Sequence, residues 1–202
     1  MIKEKSQIWA NISKGLGRCF AKLPFKPSVY SWLTLPIAFI ALLFMIHHHI
    51  FTSTIIFLLA GLLDLVDGAV ARHTQQQSHR GAFLDGSLDR FIDFFLIFGY
   101  FWLPIHTPWW SLGQWIAAAI FFAIMPSFEV AYANHRKAVD DPEEKIIWRI
   151  LNRGEMYTIM LLIPLISIIS PIWSGYLLVF LVVLSFITTL QTFFTTLKLA
   201  KD

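Results

Sequence analysis

Asp64, Asp67, Asp85 and Asp89 recur at helical spacing in a stretch of chain that is otherwise strongly apolar. The pattern reads Asp64-x-x-Asp67-Gly68-x-x-Ala71-Arg72, then eight residues, then Gly81-x-x-x-Asp85-x-x-x-Asp89. Ionised side chains at membrane depth are costly and rare, and where they occur they usually serve function. Asp64 and Asp67 are three apart and share one face of a helix. Asp85, Asp89 and Asp93 are each four apart and share a face of the next, and the short link between lets the two faces meet as an antiparallel pair. Carboxylates gathered in low dielectric repel one another, so protons or cations must neutralise them. Oxygen donors, with no thiolate or imidazole at the fixed positions, favour a hard divalent cation, Mg²⁺ or Mn²⁺. Four acids are enough for two such ions.

Paired hard cations at a membrane–water boundary suit phosphate chemistry, because two metals can hold both the attacking and the leaving oxygen of an in-line displacement. Gly68 and Gly81 have no side chain and admit a ligand or a second backbone closely. Ala71 keeps the same region open. Arg72 offers a permanently charged planar fork for phosphate oxygens.

The elements that must position these residues are membrane helices. The chain has 202 residues, 56% hydrophobic and 14% charged, where soluble domains run near 25% charged. At about 20 residues per span, six apolar segments fit, near 29–48, 51–70, 82–104, 110–133, 154–171 and 174–197. Ahead of them, Ile2, Ile8, Trp9, Ile12, Leu16, Cys19, Phe20 and Leu23 alternate with Lys5, Lys14, Arg18 and Lys22, the pattern of an amphipathic helix lying in the headgroup layer. The expected fold is therefore an all-α integral membrane protein in one domain, 1–202, with an interfacial segment 1–26 and a six-helix bundle 29–197. Cys19 is the single cysteine, so no internal disulfide forms. No small-residue cleavage site follows the first apolar run, and no cleaved leader is expected. The 16 lysines and arginines fall before the first span, in or flanking alternate links, or at the C-terminus. That asymmetry puts both termini and the acidic motif on the cytoplasmic side of a multi-pass protein, in a bacterial inner membrane. It also accounts for the net charge of +3 without nucleic acid as a partner.

With those residues in place, the chain resembles the CDP-alcohol phosphotransferase (CDP-alcohol phosphatidyltransferase) family, matching all eight fixed positions of its motif. The resemblance implies transfer of a phosphatidyl-type group from a CDP-linked lipid such as CDP-diacylglycerol to a small alcohol acceptor, with release of CMP. It implies that Asp64, Asp67, Asp85 and Asp89 hold two divalent cations. It implies that Gly68, Ala71, Arg72 and Gly81 line the site for the CDP moiety, and that Asp89 takes the proton of the acceptor hydroxyl. It also implies a homodimer. Many members carry Pro-Asn before the first span; here Pro27-Ser28 stands there, and Ser28 keeps a donor and an acceptor on a shorter side chain. Asp89-Arg90 is similar to the pair found in members that use inositol phosphate. Inositol phosphate, glycerol phosphate and an unphosphorylated alcohol all stay open as acceptors. The basic residues near 136–153 tilt toward a phosphorylated polyol.

Asp93, outside the motif, reads as support for the site rather than as a ligand. His47, His48 and His49 read as a solvated turn on the far side of the membrane. His73 and His79 sit in the motif link and either touch substrate or stay exposed. Glu129 faces a polar cavity or reaches the interface; Arg153 and Glu155 contact the acceptor or anchor the start of the fifth span. Two other functions use intramembrane acids. An aspartate-rich intramembrane prenyltransferase needs a longer chain and lacks the Gly-x-x-Ala-Arg element. A cation transporter requires neither glycine nor Arg72.

Overall fold

The computed structural model describes residues 27–76, 78–139 and 149–200, with Gly15 and Phe20. The interfacial helix expected over 1–26 thus lies outside the described residues, apart from Gly15 and Phe20. Six α-helices run along the described chain: α1 Pro27–Ile46, α2 Ile50–His73, α3 His79–Gly99, α4 Leu112–His135, α5 Arg153–Ile169 and α6 Pro171–Leu199. They correspond one for one to the six apolar segments. The third stops short of the expected 104, tightening into a 3₁₀ turn at Tyr100–Trp102. Pro104 is the reason: it pushes Leu103 into extended backbone (φ −94°, ψ 147°), which no α-helix can continue.

Four of the six, α1 from Ser28, α2, α4 and α6, are long and apolar enough to cross a membrane. The charges Arg80, Asp85, Asp89, Arg90 and Asp93 set α3 apart, and α5 has only 17 residues. Large apolar side chains cover the outside of these helices, with Phe51, Leu59, Ile169 and Phe194 all exposed. Water would not tolerate apolar surface on that scale, whereas lipid is its natural cover. Exposed Trp32, Trp109, Trp110 and Trp173 stand near helix ends, as interfacial tryptophans do.

The chain divides into two compact units, Met1–Phe95 and Leu96–Asp202. In the first, α1 and α2 form a tight hairpin. Its turn is closed by His48 in left-handed backbone (φ 61°), with His47, His48 and His49 exposed. Ala38, Ala41, Phe57 and Ala60 are fully buried, and small residues let membrane helices approach closely. Across the hairpin the Ser53 hydroxyl donates to the Ala41 carbonyl at 2.7 Å. Tyr30 of α1 packs with Val66 and Val70 of α2, a buried cluster that brackets Asp67. The end of α2 is closed by Gln76 N–H donating to Ala71 O (3.0 Å), with Gln75 at φ 54° making the reversal. Ser78 then opens α3, its Oγ accepting the Gly81 N–H at 3.0 Å.

In the second unit, α6 packs against both α4 and α5. A capping pair starts α4, with Ser111 N–H donating to Gln114 Oε1 at 2.8 Å. Buried Thr188, Thr189 and Thr192 satisfy their hydroxyls on carbonyls one turn back in α6 (2.8–2.9 Å), as polar groups in an apolar bundle must. The Tyr100 hydroxyl donates to the Met160 carbonyl at 2.7 Å. The segment before α4 lies directly on α6: His106 N–H donates to Pro171 O (3.0 Å), and a Cβ on Gly175 would collide with the His106 carbonyl. Gly175→Ala is therefore expected to destabilise the protein by about 1–3 kcal/mol through overpacking. The check is a lowered unfolding temperature in detergent, against an unchanged value for Gly113→Ala, where the nearest atom to an added Cβ is the Phe101 ring at 3.5 Å.

Candidate active site

The acidic motif occupies the end of α2, the link and the first half of α3, all within the first unit. Helical spacing puts Asp64 and Asp67 on one side of α2, and the closed link folds α3 back so that Asp85 meets them. Oxygens of Asp64, Asp67 and Asp85 lie within 4.8 Å of one another. Asp67 is the deepest of the three, 4% exposed, and Asp64 and Asp85 are half-buried. Ser31, also buried, lies beside Asp67 in the same cavity wall. Asp67 Oδ2 is buried with no hydrogen-bond partner among the described residues. Oxygens on opposite sides of an Mg²⁺ ion stand about 4.2 Å apart. The three carboxylates therefore fit a hard divalent cation in number, donor type and spacing, and the buried Asp67 Oδ2 offers it a lone pair.

Beside this cluster opens a cavity of about 640 Å³. Ser28, Gly68, Ala71, Arg72 and Gly81, the five positions expected on the nucleotide side, all line it together with Asp67 and Asp85. Gly68 has a specific job there. The Arg72 guanidinium folds back over it, and a Cβ on Gly68 would sit 3.3 Å from Arg72 Nη1. The glycine thus lets a charged fork lie flat along α2 at the rim of the cavity. Gly81 is similarly close to the Ser78 hydroxyl that caps α3, 3.2 Å from the position of a Cβ.

Asp89 is buried at 6% exposure, one turn beyond Asp85 and outside the group of three. Asp93 is more buried still and pairs with Arg90 at 3.3 Å. His79 lines the cavity. Ser31, Gln76, Ser78 and Ala82 line it too and were missed in the sequence. Signals for two of them existed: Ser31 is one helical turn from Ser28, and Ser78 stands three before Gly81, where a helix cap belongs. In the second unit, Glu155 has a local task, accepting the Asn152 N–H at 3.1 Å to cap α5. Glu129 is half-buried beside Arg149, whose Nη2 donates to the Pro126 carbonyl at 3.1 Å.

Residues 23–191 match the family model for CDP-alcohol phosphatidyltransferase. The chain belongs to the CDP-alcohol phosphatidyltransferase family. It is 38% identical over 68 residues to the bifunctional IPC transferase and DIPP synthase of Aquifex aeolicus, covering 33% of this chain and 15% of that protein. It is 36% identical over 84 residues to the archaetidylinositol phosphate synthase of Aeropyrum pernix, covering 42% and 43%. The chain thus spans less than half the length of these two curated relatives. Among solved structures it is similar to the phosphatidylinositol phosphate synthase of Mycobacterium tuberculosis. With CDP-DAG bound, that structure superposes with a TM-score of 0.74 at 21% identity, covering 92% of this chain and 94% of the other. The same synthase with manganese and citrate gives 0.71 at 21% identity, covering 91% and 88%. At that identity the likeness is one of fold.

Asp67→Asn removes the charge of the most deeply buried of the three carboxylates. It is expected to weaken Mn²⁺ binding by about tenfold or more, measured by calorimetry on the detergent-solubilised protein. Unchanged affinity would show that the three carboxylates do not share an ion.

Proposed function

We propose that this chain transfers a phosphatidyl-type group from CDP-diacylglycerol to a phosphorylated polyol such as inositol phosphate or glycerol phosphate, releasing CMP. One observation carries the reading. Three motif carboxylates converge within 4.8 Å beside a cavity lined by the motif's glycines, alanine and arginine. The names of the relatives support the class of acceptor, and the Mycobacterium tuberculosis synthase supports the donor, since it was solved with CDP-DAG bound. Family membership over 23–191 runs through both compact units and supports reading the chain as a single transferase domain.

In this proposal Asp64, Asp67, Asp85 and Asp89 hold two cations, Mg²⁺ or Mn²⁺. Bound there, such ions polarise the diphosphate and stabilise the departing CMP. Ser28, Gly68, Ala71 and Gly81 shape the bed for the CDP moiety, and Arg72 lays its guanidinium on a phosphate oxygen. Asp89 takes the proton of the acceptor hydroxyl. The acceptor oxygen bonds to the lipid-bearing phosphorus as the bond from that phosphorus to the CMP oxygen breaks, and CMP leaves with the electron pair. All six helices span the membrane in this reading. Both termini and the site face the cytoplasm of a bacterial inner membrane, and the working form is a homodimer.

The test is CMP release by purified protein given Mg²⁺ or Mn²⁺, CDP-diacylglycerol and a panel of alcohols: inositol phosphate, glycerol phosphate, and their unphosphorylated counterparts. Release is expected with a phosphorylated polyol and is expected to stop on chelation with EDTA. Asp89→Asn is expected to lower kcat by about 10²-fold or more. Full turnover by that variant with the confirmed acceptor would remove the base assignment, and turnover surviving thorough chelation would remove the metals.

A further inference from the structure

Residues 73–80 read His-Thr-Gln-Gln-Gln-Ser-His-Arg, a stretch without a hydrocarbon side chain between two apolar helices. The reversal there is made by backbone: Gln75 adopts φ 54°, and the Gln76 N–H closes on the Ala71 carbonyl at 3.0 Å. That closure uses the main chain of Gln76 and leaves its side chain to other work. Of the two described glutamines in the link, Gln76 lines the cavity and Gln75 does not. The bond to Ala71 also fixes how far along the wall Gln76 stands. It returns the chain to the level of Ala71, four residues beyond Asp67, about 6 Å along the axis of α2. The oxygens of Asp64, Asp67 and Asp85 and the Arg72 guanidinium, folded over Gly68, lie at the near end of that interval. A ribose separates the base of a nucleotide from its phosphate by a comparable length.

We infer that Gln76 holds the nucleobase of the donor. The inference rests on the proposed reading of this cavity as the seat of the CDP moiety. The acyl chains of a CDP-linked lipid stay with the apolar helices, so its nucleoside runs toward the polar link. A diphosphate at the carboxylates and Arg72 then brings the base to the level of Gln76. The chemistry matches there. A glutamine amide carries a donor and an acceptor side by side. The pairing edge of cytosine is their complement, since ring N3 accepts and the exocyclic amino group donates. Gln76 also has an everyday explanation, as an exposed polar residue that keeps the link in water. The two accounts differ in whether its removal matters more for a ligand that carries a base. A base contact predicts a loss confined to such ligands. A merely solvated link predicts no loss, and a disturbed link predicts the same loss for every ligand of the cavity.

The experiment measures binding of CMP and of ribose 5-phosphate, which lacks the base, to the full-length protein in detergent with Mn²⁺. Gln76→Ala is expected to weaken CMP binding by about tenfold, the worth of one or two hydrogen bonds. Its affinity for ribose 5-phosphate is expected to change by less than about twofold. Gln76→Glu keeps the size but loses the donor for ring N3, and is expected to weaken CMP binding at least as much. Gln75→Asn alters the exposed neighbour without touching the cavity and is expected to bind CMP as the wild type does. In turnover, Gln76→Ala is expected to raise KM for CDP-diacylglycerol with little change in kcat, because the base is remote from the reacting phosphorus. Wild-type CMP affinity in Gln76→Ala, or an equal loss for both ligands, overturns the inference. An equal loss in Gln75→Asn overturns it too, since the turn and not the amide is then at work. Where Gln76→Ala fails to fold, Gln76→Glu decides by the same comparison. Wild-type protein that binds CMP but releases none from CDP-diacylglycerol with any alcohol ends the transferase proposal and leaves this inference to the CMP titrations. Wild-type protein that binds no CMP ends the inference.

Discussion

Like charges brought together in an apolar setting are the constraint around which this protein is built. Oxygens of Asp64, Asp67 and Asp85 lie within 4.8 Å. Two unit charges at that separation repel by roughly 3 kcal/mol at an effective dielectric near 20. Three such pairs approach the whole stability of a typical domain, about 5–15 kcal/mol. The hairpin of α1 and α2, the closed link and the capped start of α3 must hold the acids in place, and a counter-charge must relieve them. Asp67 Oδ2, buried with no hydrogen-bond partner among the described residues, offers a lone pair to such a counter-charge.

The devices that meet this constraint are local and differ in kind. Tyr30, Val66 and Val70 clamp the backbone on either side of Asp67 with apolar packing. The reversal after α2 depends on a left-handed Gln75 and on a hydrogen bond back to Ala71. Ser78 caps α3 and fixes Gly81 at the mouth of the cavity. Gly68 provides room for Arg72 to lie back across it. Each motif position therefore has its own physical reason. Three of the acids gather their oxygens at one point, Gly68 and Gly81 leave space beside the cavity, and Arg72 brings positive charge to its wall. The second unit handles polarity differently. The hydroxyls of Thr188, Thr189 and Thr192 donate to carbonyls within their own helix, and the Tyr100 hydroxyl is tied to the Met160 carbonyl.

Much of this was legible along the chain because membrane helices announce themselves. An apolar run of about 20 residues has few other fates, and all six expected segments are helices. The misjudged boundary at 99–104 arose because apolarity continues through Tyr100–Leu103 while Pro104 ends the helix. Apolar length also left two helices ambiguous: α3 carries the charges that the site needs, and α5 is short. Glu155 was read as either an acceptor contact or an anchor, and its carboxylate accepts the Asn152 N–H at the start of α5. Residues such as Ser31 and Gln76 enter the cavity from elements whose proximity spacing alone does not reveal.

What the amino-acid order determined by itself was the inventory and its helical phase. A period of 3.6 residues decides which acids share a face, and fixed spacing decides which glycines and arginine accompany them. What only the tertiary structure decided was which faces meet and how deep they lie. Asp85 joins Asp64 and Asp67 while Asp89 stands a turn away, and Arg90 comes within ion-pair distance of both Asp93 (3.3 Å) and Asp89 (3.9 Å). The meeting of the acids depends on the angle at which the link returns α3 to α2 and on the rotamers that packing permits. Both are products of many weak contacts between distant residues, and no short window of sequence contains them.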